Sequence, residues 1–453
     1  MALQSRREFL RRSALGAMAL ATVGHAQPAP RRPNIIFIMA DDLGYGDLGC
    51  YGQGRIKTPH IDKLAAEGMR FTQCYAGSTV CAPSRSCLMT GQHTGHALVR
   101  GNARIPLRPE DTTIAEVMKG AGYATGIVGK WGLGEPDTTG VPNRQGFDHW
   151  FGYLNQRNAH NYYPDHLWRN EERHPLPANE GDGRGAYTHD LFTEDALQFI
   201  DDNSDRPFFL YLPYTIPHAN NELGRETGDG MEVPSQGEYA DADWPHVEKS
   251  AAAMISRLDA DVGRIMARLR ERGIDEHTVV FFTSDNGPHN EGGHDAEFFE
   301  SRGPLRGVKR DLYEGGIRVP MIARWPGVIR AGAVSDTPWA FWDVLPTAAE
   351  VAGVAPPDGI DGVSVLPTLR GEAQTPHETL YWEFYERGFD QAVLMHPWKG
   401  VRRKRGGDKL ELYNLDDDIG ETTDLAAKHP DIASRIAEVM RDAHTDNEHY
   451  QRP

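Results

Sequence analysis

NIIFIMADD (Asn34–Asp42) is an unbroken apolar run that ends in two carboxylates. Such a run is typical of a β-strand buried on both faces of a parallel sheet. A second run of this kind, Thr278–Phe282, is followed by the sequence SDNG at Ser284–Gly287. Two buried strands are therefore predicted to end in carboxylates and an amide.

Two further apolar runs end beside residues that can do chemistry. Ala124–Val128 is followed by Lys130, and Pro207–Leu212 is followed by His218. Open α/β sheets bind ligands at the carboxyl ends of their strands. If the four strands are parallel neighbours, their polar residues converge on one edge of the sheet.

The strand-like runs alternate with helical patterns, which predicts an α/β fold with a mostly parallel sheet sandwiched by helices. One helix is marked by a regular apolar stripe, namely Met254, Leu258, Val262, Ile265 and Leu269. Thr58-Pro59 predicts the capped start of another. The Gly- and Pro-rich stretches 141–185 and 220–239 are interpreted as loops over the sheet edge.

The sequence pattern changes after about Pro367, where short strand-like runs precede a helical pattern over Pro430–Ala443. We interpret residues 27–370 as a catalytic domain. Residues 371–453 are interpreted as a smaller α+β C-terminal subdomain with a short antiparallel sheet and a helix.

Residues 1–26 have the features of an export signal. Twin arginines at Arg6-Arg7 precede a short apolar stretch, Ser13–Val23, and small residues suited to cleavage at Gly24–Ala26. The pattern predicts a periplasmic or secreted protein exported by the twin-arginine route. That route moves folded proteins, so a cofactor or modification can be installed before export.

Charge excludes one class of partner. Loss of the signal segment removes four Arg and one Glu and takes the formal net charge from −17 to −20. Such an acidic chain is a poor nucleic-acid binder, and an anionic substrate requires a local cluster of cations. No apolar run is long enough to span a bilayer.

The carboxylates and the amide at the two strand ends form an all-oxygen set: Asp41, Asp42, Asp285 and Asn286. Oxygen ligands of this kind suit Ca²⁺ or Mg²⁺ and do not suit zinc or copper. The alternative is that both segments are ordinary turns, which favour the same residues.

The four cysteines lie close together but lack zinc-site spacing. Cys50, Cys74 and Cys87 are interpreted as small buried residues, and a disulfide among them after export remains open. Cys81 differs because it begins CAPSR (Cys81–Arg85), which is either the start of a helix with an early proline or a functional motif.

The CxPSR pattern resembles the motif at which type I, formylglycine-dependent sulfatases have a cysteine oxidised. Other segments carry the same resemblance along the mature chain: Asp41–Asp47, Gly129–Trp131, Asp285–Gly287, Lys309 before Glu314–Pro320, and Glu411–Leu415. The resemblance is to the arylsulfatase-like members of the alkaline-phosphatase superfamily. It implies their α/β fold and the hydrolysis of an aryl or carbohydrate sulfate to alcohol and inorganic sulfate.

The resemblance also implies roles for individual residues. A formylglycine-generating enzyme would oxidise Cys81 before export, and residue 81 would join Asp41, Asp42, Asp285 and Asn286 around calcium rather than magnesium. Sulfate oxygens would be held by the cationic residues Arg85, Lys130 and Lys309. His218 would protonate the leaving oxygen, and a helix beginning near Pro83 would direct its positive end toward the anion.

One departure from the family pattern stands out. Family members commonly have the sequence GKWHLG, in which the histidine is credited with removing a proton from the sulfated intermediate, whereas this chain has Gly132. We hypothesise that His160 serves instead. Arg100 and Asn102 either contact the alcohol portion of the substrate or lie in a polar turn.

Two other functions compete with a sulfatase. The same fold hosts phosphate and phosphonate monoester hydrolases, because tetrahedral phosphate and sulfate share their geometry. A non-catalytic calcium-dependent protein could bind sulfated glycan through the same pocket with Cys81 unmodified, and Gly132 is the feature that favours this alternative.

Overall fold

The computed structural model describes residues 32–452, which form one compact unit. The predicted signal peptide therefore lies outside the described residues. Within the part described, no helix is long and apolar enough to cross a membrane.

Fifteen strands are assigned among the described residues. They are β1 Asn34–Ala40, β2 Met69–Tyr75, β3 Ala124–Lys130, β4 His149–Tyr153, β5 His166–Arg169, β6 Glu172–Pro175, β7 Phe208–Pro213, β8 Thr278–Ser284, β9 Arg318–Arg324, β10 Ala333–Ser335, β11 Trp339–Ala340, β12 Leu380–Phe384, β13 Asp390–Met395, β14 Trp398–Arg402 and β15 Leu410–Asn414.

Ten α-helices are assigned over the same residues. They are α1 Pro59–Glu67, α2 Cys81–Thr90, α3 Ile114–Gly120, α4 Thr188–Asp202, α5 Asn221–Thr227, α6 His246–Glu271, α7 Glu314–Ile317, α8 Val344–Val351, α9 Leu366–Leu369 and α10 Pro430–Asp442.

The main sheet has the strand order β10-β2-β9-β8-β1-β7-β3-β4-β5-β6, with β11 also on β2. Its centre, from β8 to β4, is parallel. Side chains of β1 alternate between two cores: Ile36 and Ile38 join the core on one face, and Ile35 and Phe37 join that on the other. The mostly parallel sheet with helices on both faces confirms the predicted fold class.

The interpretation of residues 141–185 as loops was wrong in part. β4 extends the sheet beside β3, and β5 and β6 continue it antiparallel. β4 is buried but only five residues long, and β5 and β6 are four residues each and largely polar, so none of the three has the long apolar run that marks the central strands. Residues 220–239 also contain α5.

Thr58 precedes α1 as predicted but does not cap it with its side chain. Its hydroxyl accepts the Gly49 N–H at 2.8 Å and donates to Asp62 at 3.1 Å. The apolar stripe of α6 is confirmed, because its five members all lie in one core.

Strands β12 to β15 form a separate antiparallel sheet, against which α10 packs through Ile436 and Met440. A buried ion cluster joins this sheet to the main domain. Lys399 on β14 lies 2.7 Å from Glu314 of α7 and 3.2 Å from Glu421.

Candidate active site

The four strands predicted to carry site residues lie side by side in the order β8-β1-β7-β3, with every pairing parallel. Their carboxyl ends therefore meet at one edge of the sheet, as predicted. The residues collected there are Asp41 and Asp42 after β1, Asp285 and Asn286 after β8, Lys130 at the end of β3, and His218 beyond β7.

Two backbone features shape this edge. Asp42 has a φ of +66°, a conformation rare for residues other than glycine and often found at functional sites. Gly129 has a φ of +130°, and a Cβ there would lie 2.1 Å from the carbonyl oxygen of Pro213. Glycine is thus required where β3 passes β7, directly before Lys130.

Cys81 is the first residue of α2 and is buried at this edge. Its thiol lies 3.3 Å from Asp41 Oδ1. Burial, with the negative charge of Asp41, raises the pKa of the thiol well above its usual value. An unmodified Cys81 would be a protonated, weak nucleophile, because the thiolate is the reactive form.

The helix starts two residues before the expected Pro83, because Val80 is extended and the turn begins at Cys81. Two of the first three residues of this helix cannot offer a free N–H group to an anion. Ala82 N–H donates to Asn102 Oδ1 at 3.0 Å, and Pro83 has no N–H to offer. The start of the helix therefore offers fewer free N–H groups to an anion than its first turn would otherwise have.

Three cations each contact a carboxylate at the sheet edge. Lys130 Nζ lies 2.6 Å from Asp41, and Lys309 Nζ lies 2.7 Å from Asp42. Arg85 is fully buried. Its Nη2 lies 2.7 Å from Asp285 Oδ2, and its Nη1 donates to the Lys130 carbonyl at 2.7 Å.

The donor set at this edge fits a hard divalent cation. The Asn286 side-chain oxygen is buried and accepts no hydrogen bond from any described residue, while its amide nitrogen donates to Asp42 at 2.7 Å. Burial and the nearby Asp41 raise the pKa of Asp285 to about 7. The carboxylates of Asp41 and Asp42 cluster with Cys81 and His218, and together with Asp285 and the unpaired amide oxygen they suit Ca²⁺ or Mg²⁺, which would offset the carboxylate repulsion.

His218 lies between the carboxylates and Lys309. Its Nδ1 is 2.7 Å from the Ala219 carbonyl, and its Nε2 is 3.0 Å from Lys309 Nζ. Burial, reinforced by the positive charge of Lys309, holds the pKa of His218 well below its usual value. The ring is therefore neutral, donating from Nδ1 and accepting at Nε2.

The structure brings His160 to the same place. Its ring stacks on His218 with centroids 4.8 Å apart, and its Nδ1 lies 2.9 Å from Glu222. Burial and the charge of Lys130 lower the pKa of His160, although Glu222 acts in the opposite direction.

A cavity of about 480 Å³ opens above these groups. Five of the predicted residues line it, namely Cys81, Lys130, His160, His218 and Lys309. The outer wall is polar, and it contains Asn102, Arg104, Glu135, Asn155, Gln156, Arg157, Glu222, Arg225 and Arg310. No Phe, Tyr or Trp is among the described residues of the lining.

Arg100 and Asn102 have different roles in the structure. Arg100 is buried and lies 2.7 Å from Glu383 of β12, so it joins the C-terminal sheet to the loop after α2. Asn102 reaches the cavity wall. All four cysteines are free thiols.

Sequence reasoning missed Glu291, Glu222 and Gln156. Glu291 lies 3.4 Å from Lys309 and also pairs with Arg310, and the positive charges of these neighbours lower its pKa although burial opposes this. Glu291 could have been proposed from the sequence, because it follows the strand-end segment that contains Asp285. Glu222 and Gln156 lie in segments interpreted as loops. The sequence of a loop has no periodicity that would indicate which of its residues reach the site.

Comparison with known families agrees with this geometry. A family profile described as sulfatase matches residues 33–354, and one described as N-sulphoglucosamine sulphohydrolase, C-terminal, matches residues 308–446. N-acetylgalactosamine-6-sulfatase of Canis lupus familiaris is 34% identical over 398 residues, which are 81% of this chain and 71% of the relative.

The arylsulfatase of Hemicentrotus pulcherrimus is 36% identical over 415 residues, 85% of this chain and 70% of its own. The solved structure of Ps i-CgsB in complex with k-i-k-neocarrahexaose has a TM-score of 0.79 at 27% identity and covers 91% of this chain and 92% of that one. The chain therefore belongs to the sulfatase family, with its alkaline-phosphatase-like fold, and is a sulfuric ester hydrolase.

Proposed function

We propose that the protein hydrolyses a carbohydrate sulfate monoester, using formylglycine formed from Cys81 and a bound calcium ion. The observation that carries the proposal is the position of Cys81. It is buried at the floor of a polar cavity, beside Asp41 and among the residues that share that floor. A small side chain at this point faces both a cation site and two lysines.

Residue 81 carries the proposed nucleophile. The thiol of Cys81 lies where the hydrated aldehyde would lie after oxidation. As formylglycine, residue 81 supplies one hydroxyl that attacks sulfur and a second whose deprotonation lets the aldehyde re-form and expel sulfate. A serine at this position would lack that second hydroxyl, so its sulfate ester would require direct hydrolysis.

Asp41, Asp42, Asp285 and Asn286 would hold the calcium ion through their oxygens. The ion would polarise the attacking oxygen and offset negative charge on the sulfate. The unpaired oxygen of Asn286 supports this ligand set. Calcium rather than magnesium rests on the family resemblance, since the oxygen donors accept both.

Lys130 and Lys309 are the cations that line the cavity floor, so we propose that they bind the sulfate oxygens. Arg85 is buried behind the carboxylates and would orient Asp285 and the strand end at Lys130. His218 would take a proton at Nε2 from Lys309, whose Nζ lies 3.0 Å away, and would pass that proton to the leaving alcohol oxygen.

His160 is our candidate for the base that the family places at position 132. It is neutral at pH 7 because its pKa is lowered, and Glu222 orients it through Nδ1. Its other nitrogen is left to accept a proton. This arrangement of a carboxylate behind a histidine is a recurring way to prepare a general base.

The cavity lining supports a sugar as the alcohol portion. Amides, carboxylates and arginines form the outer wall, with Ile105 as its one large aliphatic side chain among the described lining residues. Such groups bind hydroxyls and further anionic substituents, whereas an aryl or sterol group would need an apolar wall.

The first test is the chemical identity of residue 81. Protein purified from its native host would be digested with trypsin, and the peptide Phe71–Arg85 would be fragmented in a mass spectrometer. An aldehyde or its hydrate at position 81 is expected. An unmodified thiol throughout the exported protein would overturn the formylglycine proposal and favour the glycan-binding alternative.

The second test compares sulfate and phosphate esters of the same alcohol. Faster release of the alcohol from the sulfate ester is expected, because the chain belongs to the sulfatase family. Preference for the phosphate or phosphonate ester would place the chemistry with that competing class. Detection of the processed protein in the periplasm or medium would test the proposed export.

A further inference from the structure

Gly132 and Gln156 compete for one volume at the cavity wall. Gly132 has a φ of +86°, and a Cβ built on it would lie 1.9 Å from Gln156 Nε2 and 2.9 Å from its Cδ. A side chain at residue 132 and the observed position of Gln156 therefore exclude each other. Where the family pattern has a histidine, this chain presents an amide from a different strand-end loop.

The Gln156 amide is unusual among the polar groups of the wall. Its nitrogen and its oxygen are both buried, and neither hydrogen-bonds to any described residue. Its neighbour Asn155 differs, since it donates to Glu135 at 3.2 Å and accepts from Asn158 N–H at 3.0 Å. Leaving both ends of a buried amide unpaired is unfavourable, so the position is held for another reason.

The chemistry of the amide indicates what it binds. Sulfate oxygens only accept hydrogen bonds, so they could use the nitrogen but would be repelled by the carbonyl oxygen. A sugar hydroxyl both donates and accepts, which matches both ends. Lys130 and Lys309, at the floor of the cavity, are the groups proposed to bind the sulfate.

We propose that Gln156 is a specificity-determining residue that hydrogen-bonds a hydroxyl of the sugar bearing the sulfate. The inference rests on the proposed function. Gly132 leaves the space that Gln156 occupies. The chain thus has no side chain at position 132, where the family pattern has histidine, and has in its place an amide that recognises the alcohol portion of the substrate.

The test is Gln156→Leu, which keeps the size of the side chain and removes both polar atoms. The substrates are N-acetylgalactosamine 6-sulfate, N-acetylglucosamine 6-sulfate and sulfated carrageenan oligosaccharides, with 4-nitrophenyl sulfate as the ester without hydroxyls. For the best sugar, kcat/KM is expected to fall about 10- to 100-fold, and for the aryl ester it should stay within about twofold.

Thermal stability separates recognition from a structural role. The melting temperature of Gln156→Leu should be unchanged or raised, because an isosteric apolar side chain replaces an unpaired buried amide. Gln198→Leu is the matched control, since Gln198 is exposed on α4 and outside the cavity lining. It should leave both kcat/KM values unchanged.

Other outcomes would overturn the inference. Equal losses on sugar and aryl esters, no loss on either, or hydrolysis by the wild type of the aryl ester alone would each exclude recognition of a sugar hydroxyl by Gln156. Failure of the wild type on every ester would instead overturn the proposed function itself.

Discussion

His160 and His218 stack face to face, with ring centroids 4.8 Å apart and planes inclined by 13°. His218 contacts Lys309 and Asp42, and His160 contacts Glu222. Burial lowers the pKa of both. Each neutral ring can accept a proton at Nε2, which matches the two roles we propose: His218 relays a proton from Lys309 to the leaving alcohol, and His160 takes one for release of sulfate.

Replacing His160 should slow turnover after the first step. In His160→Ala, 4-nitrophenyl sulfate is expected to give an initial burst of 4-nitrophenol, followed by a steady rate about 100-fold below wild type. The physical reason is loss of the proposed base for sulfate release. Stopped-flow absorbance measures both phases, with His246→Ala, at an exposed histidine, as the control. Unchanged turnover would exclude His160 as the base.

Glu222→Gln should move the acidic limb of the pH–rate profile. The charged and titratable groups facing His160 are Glu222, Arg157, Lys130, Lys309 and His218, and Glu222 is the one that raises its pKa. Without that carboxylate the pKa of His160 falls further, so the neutral base persists to lower pH. We expect the limb to shift to lower pH with a reduced kcat, and a shift to higher pH would contradict the assignment.

Removal of the divalent ion should abolish activity and weaken the fold. Asp41, Asp42 and Asp285 repel one another at the sheet edge, and a bound cation stabilises only the folded state. Dialysis against EDTA is expected to lower the melting temperature by about 2 to 5 °C, with recovery on adding Ca²⁺. A fully active protein that contains no divalent ion by elemental analysis would refute the metal assignment.

Lys399→Met should destabilise the protein strongly. The lysine is buried between Glu314 and Glu421, so its loss leaves the buried Glu421 without its cation and leaves Glu314 with Arg318 alone. The expected loss is about 3 to 5 kcal/mol in the free energy of unfolding, measured by urea denaturation. Lys409→Met is the matched control, because Lys409 is exposed where it pairs with Asp424, and it should have little effect.

His444 should contribute stability that depends on pH. Its two ring nitrogens lie 2.8 Å from Glu383 and 2.8 Å from Asp446, so the protonated ring serves both, and the hydrogen bond to Glu383 raises its pKa. A raised folded pKa means that this stability is complete below the unfolded value of about 6.5 and is lost as pH rises through the folded pKa.

The measurement is the melting-temperature difference between wild type and His444→Gln from pH 5 to pH 9. The difference should be largest at the acidic end and should shrink as the pH rises. A difference that grows toward alkaline pH would show that the folded state favours the neutral ring.

The central sheet and most of the site could be predicted because they depend on local pattern. A strand buried on both faces must be apolar throughout, so β1 and β8 were visible, and the first polar residues beyond them had to lie at a strand end. Strands β4 to β6 were missed because short strands at the side of a sheet need no continuous apolar run.

The sequence pattern was enough to identify the residues that meet at the sheet edge: the carboxylates after β1 and β8, the CAPSR segment, Lys130, His218 and Lys309. Which distant loops complete the candidate site depends on the folded path of the chain. Gln156 occupies the space beside Gly132, and Glu222 meets His160 across the cavity, because packing brings together segments far apart in the chain. Sequence periodicity reports how a segment faces its own core, whereas contacts between loops depend on the path of the whole chain.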